Sequence, residues 1–170
     1  LPAGHEPFGR AKAGATPKQR ILFRLMQQRV HLLGAYQGLA ESQLLEPMTE
    51  GGESVRDALT VLAAWELATV DALATARAGE RPAFLEWKDD ERRRWAAGQR
   101  ERTRSLAVDD VVRGLQVTRL ELLDQMEAMP EEPAEMWTAP HPVGALIERL
   151  SANDLELADA IKRWRSERGY

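Results

Sequence analysis

Beyond residue 16 the large apolar residues recur at steps of three and four, not in alternation, and that period is what a helix buried along one face requires. The first stripe runs through Leu22, Leu25, Met26, Arg29, Leu32, Leu33, Tyr36 and Leu39, about six helical turns. Thr16-Pro17-Lys18-Gln19 opens it as a capping box: the threonine hydroxyl accepts from an early backbone N–H, proline fits the first helical position, and Gln19 reaches back. Gly38 and Glu46-Pro47 bracket its end. After the breaker-rich residues 47–53, Ser54 and Asp57 form a second capping signal, with a carboxylate near the positive end of the helix. The stripe that follows is Ala58, Leu59, Leu62, Trp65, Ala68 and Leu73, with Val61 and Ala72 beside it. It runs to Gly79 and is wide enough to need neighbours on two sides. Thr69 falls on this face without interrupting it, because its hydroxyl can donate to the carbonyl of the preceding turn.

Arg81-Pro82 stops that helix, and residues 80–106 are strongly charged, with Trp87 and Trp95 as large apolar anchors. They predict a shorter, partly exposed helix or helical crossover. Val108, Val111, Val112, Leu115, Thr118, Arg119, Leu122, Met126 and Met129 form the third long stripe, opened by Asp109 and Asp110 and closed by Pro130. The proline-rich residues 130–141 read as a loop, Pro142 suits a first helical position, and Leu146, Leu150, Asn153, Leu157, Ile161 and Trp164 make the fourth stripe up to Gly169. The predicted fold is therefore all-α: a four-helix bundle of helices about 20 to 26 residues long, with a long, partly helical crossover between the second and third. Residues 1–15, rich in Gly, Pro and Ala, read as an extended N-terminal arm, and residues 16–170 as one domain.

Composition narrows the chemistry. The chain has no cysteine, which excludes thiolate zinc sites, iron–sulfur clusters, cysteine nucleophiles and disulfides. Twenty-three Lys and Arg against 27 Asp and Glu give a net charge of −4, an ordinary mixed surface that predicts no nucleic-acid partner. The basic run Arg92-Arg93-Arg94 with Arg100, Arg102 and Arg104 is diluted by Asp89, Asp90, Glu91 and Glu101 and reads as a solvated helical face. No apolar run is read as approaching the roughly 18 residues of a membrane helix, and no leader is read at the start, so a cytoplasmic location is expected if Leu1 lies near the true beginning.

None of the three histidines has Glu three residues before it, and the zincin, nucleophile-elbow and phosphate-loop motifs are missing. His5, His31 and His141 read as an arm, a helix-surface and a cap-region residue. Trp65 and Trp164 sit at core stripe positions, whereas Trp87, Trp95 and Trp137 lie in connections, where they would anchor a loop or a dimer contact. Arg119 has two readings, a buried ion pair with an acid such as Glu66, or a side chain snorkelling to the rim, and the second is the expected one. Asp154 and Asp159 are expected to be exposed helix charges, and Asn153 to be half-buried with a partner.

The stretch SVRDALTVLAAWE from Ser54 to Glu66 resembles the second-helix signature of the DinB/YfiT-like superfamily, usually W-S-x-x-D-x-L-x-H-L-x-x-W-E. Similar likenesses lie in LAESQLLEPMTEGGES before it, in VVRGLQVTRLELLDQM of the third helix and in the Ile161-Lys162-Arg163-Trp164 closure of the fourth. The resemblance implies a bundle in which one His of the second helix and a His-x-x-x-His pair of the fourth bind a divalent metal. Those positions here are Val61, Asn153 and Leu157, and Glu53 replaces the leading Trp. Val and Leu offer no donor atom and one Asn carbonyl cannot hold zinc or nickel, so no metal and no cofactor are expected. The ligand-pocket candidates are Val61, Trp65, Glu66, Arg119, Asn153 and Leu157. The resemblance, with a branch of the ClbS/DfsB type, implies a stress-related protein, here a small-molecule binder and a homodimer. The alternative is a metal-independent hydrolase or transferase using Arg119, Asn153 and Glu66 on a reactive or thiol-linked substrate.

Overall fold

Six α-helices and two 3-10 turns order residues 14–170, the part of the chain that the computed structural model describes. The helices are α1 (Pro17–Tyr36), α2 (Glu41–Leu44), α3 (Val55–Arg77), α4 (Asp89–Arg102), α5 (Val108–Ala128) and α6 (Pro142–Arg168). Among the described residues no strand forms, and the β pairing is a single bridge between Pro47 and Ser54. The expected arm falls almost wholly outside the described residues, and His5 with it.

The long helices α1, α3, α5 and α6 make the bundle, with α3 packed along both α5 and α6, and α1 along α6. Both capping boxes form: Thr16 accepts from the Gln19 N–H at 3.2 Å, and Ser54 from the Asp57 N–H at 3.1 Å. Thr69 donates to the Trp65 carbonyl at 2.9 Å, as its place on the stripe predicts. The crossover is a 3-10 turn, Ala83–Glu86, followed by α4, which lies against α3.

The first helix differs from its stripe. It ends at Tyr36, the chain turns through Gly38 with φ +82°, and α2 is a separate turn. Met26 and Leu33 are exposed, and the buried side is Lys18, Ile21, Leu25, Leu32, Ala35 and Tyr36. A helix with one close full-length neighbour covers a narrower face than its apolar content suggests. The buried Lys18 ammonium donates to the carbonyls of Met129 at 2.7 Å and Glu127 at 2.5 Å, filling acceptors that the end of α5 leaves open.

Contrary to the expectation that no segment reaches the length and apolarity of a membrane helix, α3 does. An 18-residue window of α3 has a mean hydropathy of 1.4 with few charges, enough by length and composition to cross a membrane. Glu66 and Asp71 break the run by eye without lowering its average. In the bundle this helix is the central one, and Glu66 at its middle is fully buried.

The core has two halves. One gathers Leu25, Val70, Leu122, Trp137 and Leu150, the other Leu32, Leu62, Leu115, Ala158 and Trp164. Trp137, expected to anchor a loop or a dimer contact, anchors its own connection from inside the core: it is 1% exposed, the proline-rich segment folds inward, and its indole N–H donates to the Pro130 carbonyl at 3.2 Å. Gly144 lets that connection cross the start of α6: a Cβ there would lie 2.1 Å from the Thr138 carbonyl carbon.

Candidate functional site

Between the two halves of the core, each long helix contributes one charged side chain to a single layer: Arg29 from α1, Glu66 from α3, Arg119 from α5 and Asp154 from α6. Arg119 donates to Glu66 through Nε at 3.0 Å and Nη2 at 2.5 Å, to Asp154 at 2.8 Å and to the Leu25 carbonyl at 3.0 Å. Arg29 bonds Glu66, lies 3.3 Å from Asp154 and donates to the Leu115 carbonyl at 3.2 Å. The Thr118 hydroxyl donates to the second Glu66 oxygen at 3.0 Å. Two guanidiniums thus face two carboxylates, and Glu66 and Asp154 have no exposure at all. Such burial is tolerated because each charge is both paired and hydrogen-bonded. Of the two readings of Arg119 the buried pair holds. Asp154, expected on the surface, is instead buried here, since two arginines supply the counter-charge that a lone aspartate would lack; Asp159 is exposed.

The neighbours of these charges face outward. Asn153, beside Asp154, and Trp65, beside Glu66, reach a cleft between α3 and α6. Val61 and Leu157 line the same cleft, which measures about 290 Å³ and carries Met48 and Glu156 at its sides. The Asn153 Nδ2 is buried and, among the described residues, has no hydrogen-bond partner. A second cavity of about 380 Å³ adjoins the first through Thr49, Glu53, Trp65 and Asn153, and its far wall is α4 and Arg149.

The crossover is held against this site by aromatic contacts and by Arg56. Trp95 packs on Trp65 with ring centroids 4.3 Å apart, Phe84 meets Trp65 edge-on at 5.6 Å, and Trp87 lies 6.0 Å away. Trp87 and Trp95 therefore anchor a connection, one of the two roles expected of them. Arg56, 5% exposed, donates to the carbonyls of Thr103 and, at 2.9 Å, Leu106, where α4 ends. Arg100 of α4 reaches Glu53 at 3.1 Å.

Of the six candidate residues, Val61, Trp65, Asn153 and Leu157 come together at the cleft, and Glu66 and Arg119 do not line it. His31 is exposed beside Lys162, and the His141 Nδ1 caps α6 by accepting from Val143 at 3.2 Å. Among the described residues no three of the metal-binding types His, Asp and Glu converge. The donors at the cleft do not fit the metal that the family resemblance implies: two of its three positions are aliphatic, and Glu53 is taken by Arg100. Arg92, Arg93 and Arg100, expected only as part of a solvated helical face, and Arg149, which no sequence signal singled out, line the second cavity. The spacing of Arg92, Ala96 and Arg100, one turn apart, was the available signal. Elsewhere, burial holds the Tyr36 phenol above its ordinary value of 10.0 against the opposing field of Arg29.

No protein-family model matches the chain, and no curated protein does. In three dimensions it is similar to an uncharacterised protein from Escherichia coli UTI89, with a TM-score of 0.73 at 15% identity over 91% of this chain and 96% of that one. At that identity the likeness shows the fold alone.

Proposed function

We propose that this chain is a DinB-like protein without the metal triad, and that it binds a small molecule in the cleft between α3 and α6. One observation carries the reading: the three positions at which the family holds its metal lie on one cleft, where they present two aliphatic side chains and one buried amide N–H without a partner. An unpaired buried donor costs about 1 to 3 kcal/mol, which a ligand acceptor would offset. Trp65 and the aliphatic walls suit the apolar body of such a ligand. Catalysis is the weaker reading. Its proposed carriers Arg119 and Glu66 are saturated by one another and by Asp154 in the bundle interior. A stress-related role rests on the family resemblance alone, carried by residues 54–66 and by the likenesses in the first, third and fourth long helices.

Calorimetric titration with hexyl phosphate and hexyl β-D-glucoside tests the binding site. The reading expects saturable one-to-one binding of at least one probe, recovered unchanged, and its loss when Val61→Trp fills the cleft. Binding that survives Val61→Trp, or no binding of either probe to the native protein, would contradict it.

The same reading includes a homodimer. Pairing is implied by the family resemblance, and the wide face of α3, compatible with it, packs within the bundle against α5 and α6. Phe23, Met26, Val30 and Leu33 form an exposed apolar row on α1, with Met26 54% and Val30 62% exposed, and this row supports pairing through α1 instead.

A further inference from the structure

The cavity behind the cleft has a charge unlike that of the molecule around it. The whole chain carries −4, yet this one cavity is lined by four arginines, Arg92, Arg93, Arg100 and Arg149, against one carboxylate, Glu53. Glu53 is engaged by Arg100. Among the described residues Arg92, Arg93 and Arg149 have no carboxylate within salt-bridge distance, although Arg92 and Arg149 are half-buried. Like charges gathered in a partly dry wall repel one another and raise the local potential, and an oxyanion relieves both effects. The arginines come from two elements, Arg92, Arg93 and Arg100 from α4 and Arg149 from α6, so both helices contribute cationic residues to the lining. Planar guanidinium forks match carboxylate and phosphate oxygens two at a time, which lysines would not. The tryptophan anchors and Arg56 fix α4 in place, so this wall does not depend on a ligand to form.

We propose that the cavity between α4 and α6 takes the oxyanion head, phosphate or carboxylate, of an amphipathic small molecule whose apolar body lies in the adjoining cleft along Trp65, Val61 and Leu157. This rests on the cleft being the binding site and names the class of ligand. Asn153, shared by the two cavities, stands at the junction, where its free N–H meets an acceptor next to the head.

Four probes of equal chain length test it on the intact protein: hexyl phosphate, hexanoate, hexyl β-D-glucoside and hexylammonium. Hexyl phosphate or hexanoate binds at least tenfold more tightly than the neutral glucoside, and hexylammonium does not bind. Which of the two anions is preferred tells a phosphate site from a carboxylate site. Arg149→Gln and Arg92→Gln, which break no ion pair among the described residues, each weaken the anion about tenfold and leave the glucoside unchanged. Arg94→Gln, on the outer side of α4 where it pairs with Asp90, changes neither. Raising salt from 50 to 500 mM weakens the anion only. Equal binding of anion and glucoside, with both arginine variants silent, overturns the anion proposal and leaves the cleft standing. Binding of no probe overturns both. A melting temperature within a few degrees of native for each variant shows that the fold is retained.

Discussion

Asn153 and Asp154 divide the work of α6 between them. Both follow Leu150, at three and four residues, so the stripe alone allows either to face the core. What decides is the pair of guanidiniums on α1 and α5, which gives the aspartate a partner inside, and three-dimensional neighbours of that kind leave no trace in the spacing along one helix. Arg29 and Arg119 were visible on their stripes, and the sequence does not show that four helices meet at one charged layer. The layer makes a sharp prediction. Glu66→Gln removes the negative charge shared by both arginines and should destabilise the bundle by about 3–5 kcal/mol in urea unfolding. Replacing all four residues at once, Arg29→Met, Glu66→Leu, Arg119→Met and Asp154→Leu, removes the desolvation cost together with the pairing. That variant should be close to native stability or above it. A quadruple variant as unstable as the single one would show that the charges, and not their balance, hold the helices in register.

At the scale of elements, the four long helices were legible because caps, breakers and apolar period agree, as at Thr16, Ser54 and Pro142. The fourth helix in chain order was harder. Its residues are strongly polar, and it is held by side chains that lie outside its own period, Trp65 and Arg56 of α3. Charge dilution along the sequence hid its arginine-lined side, because Arg92 and Arg100 share one side of the helix while Asp90 and Arg94 pair on another. The end of α1 carries a pH dependence. Folding holds the Tyr36 phenol above its ordinary 10.0, so the native state keeps the proton more tightly than the unfolded chain. Its contribution is therefore complete below pH 10 and declines as the pH rises from there toward the folded value. Urea midpoints of native protein and Tyr36→Phe should run parallel from pH 7 to 9, and above pH 10 the native protein should lose more. Parallel curves throughout would contradict the burial of the phenol.

The molecule as a whole joins a stable waist to an open side. The charged layer fixes Glu66 and Asp154, and through them sets where Trp65 and Asn153 project, so the cleft inherits its geometry from the core. On another helix the exposed row of α1 should bring two copies together: Val30→Lys is expected to convert a dimer to a monomer in sedimentation at micromolar concentration, and a native protein that is already monomeric would remove that part of the account. The fold was readable from the chain, the cleft through three positions of two motifs on α3 and α6, and the arginine wall only in three dimensions, since it joins Arg92, Arg93 and Arg100 of α4 to the distant Arg149 of α6. The most direct measurement is the ¹H–¹⁵N spectrum of the five indole N–H groups during titration with hexyl phosphate, each signal assigned by a Trp→Phe variant. Trp65, which lines both cavities, should shift and saturate, while the buried Trp137 and Trp164 stay in place. Movement of Trp137 or Trp164 with Trp65 unchanged would place the ligand elsewhere and contradict the account.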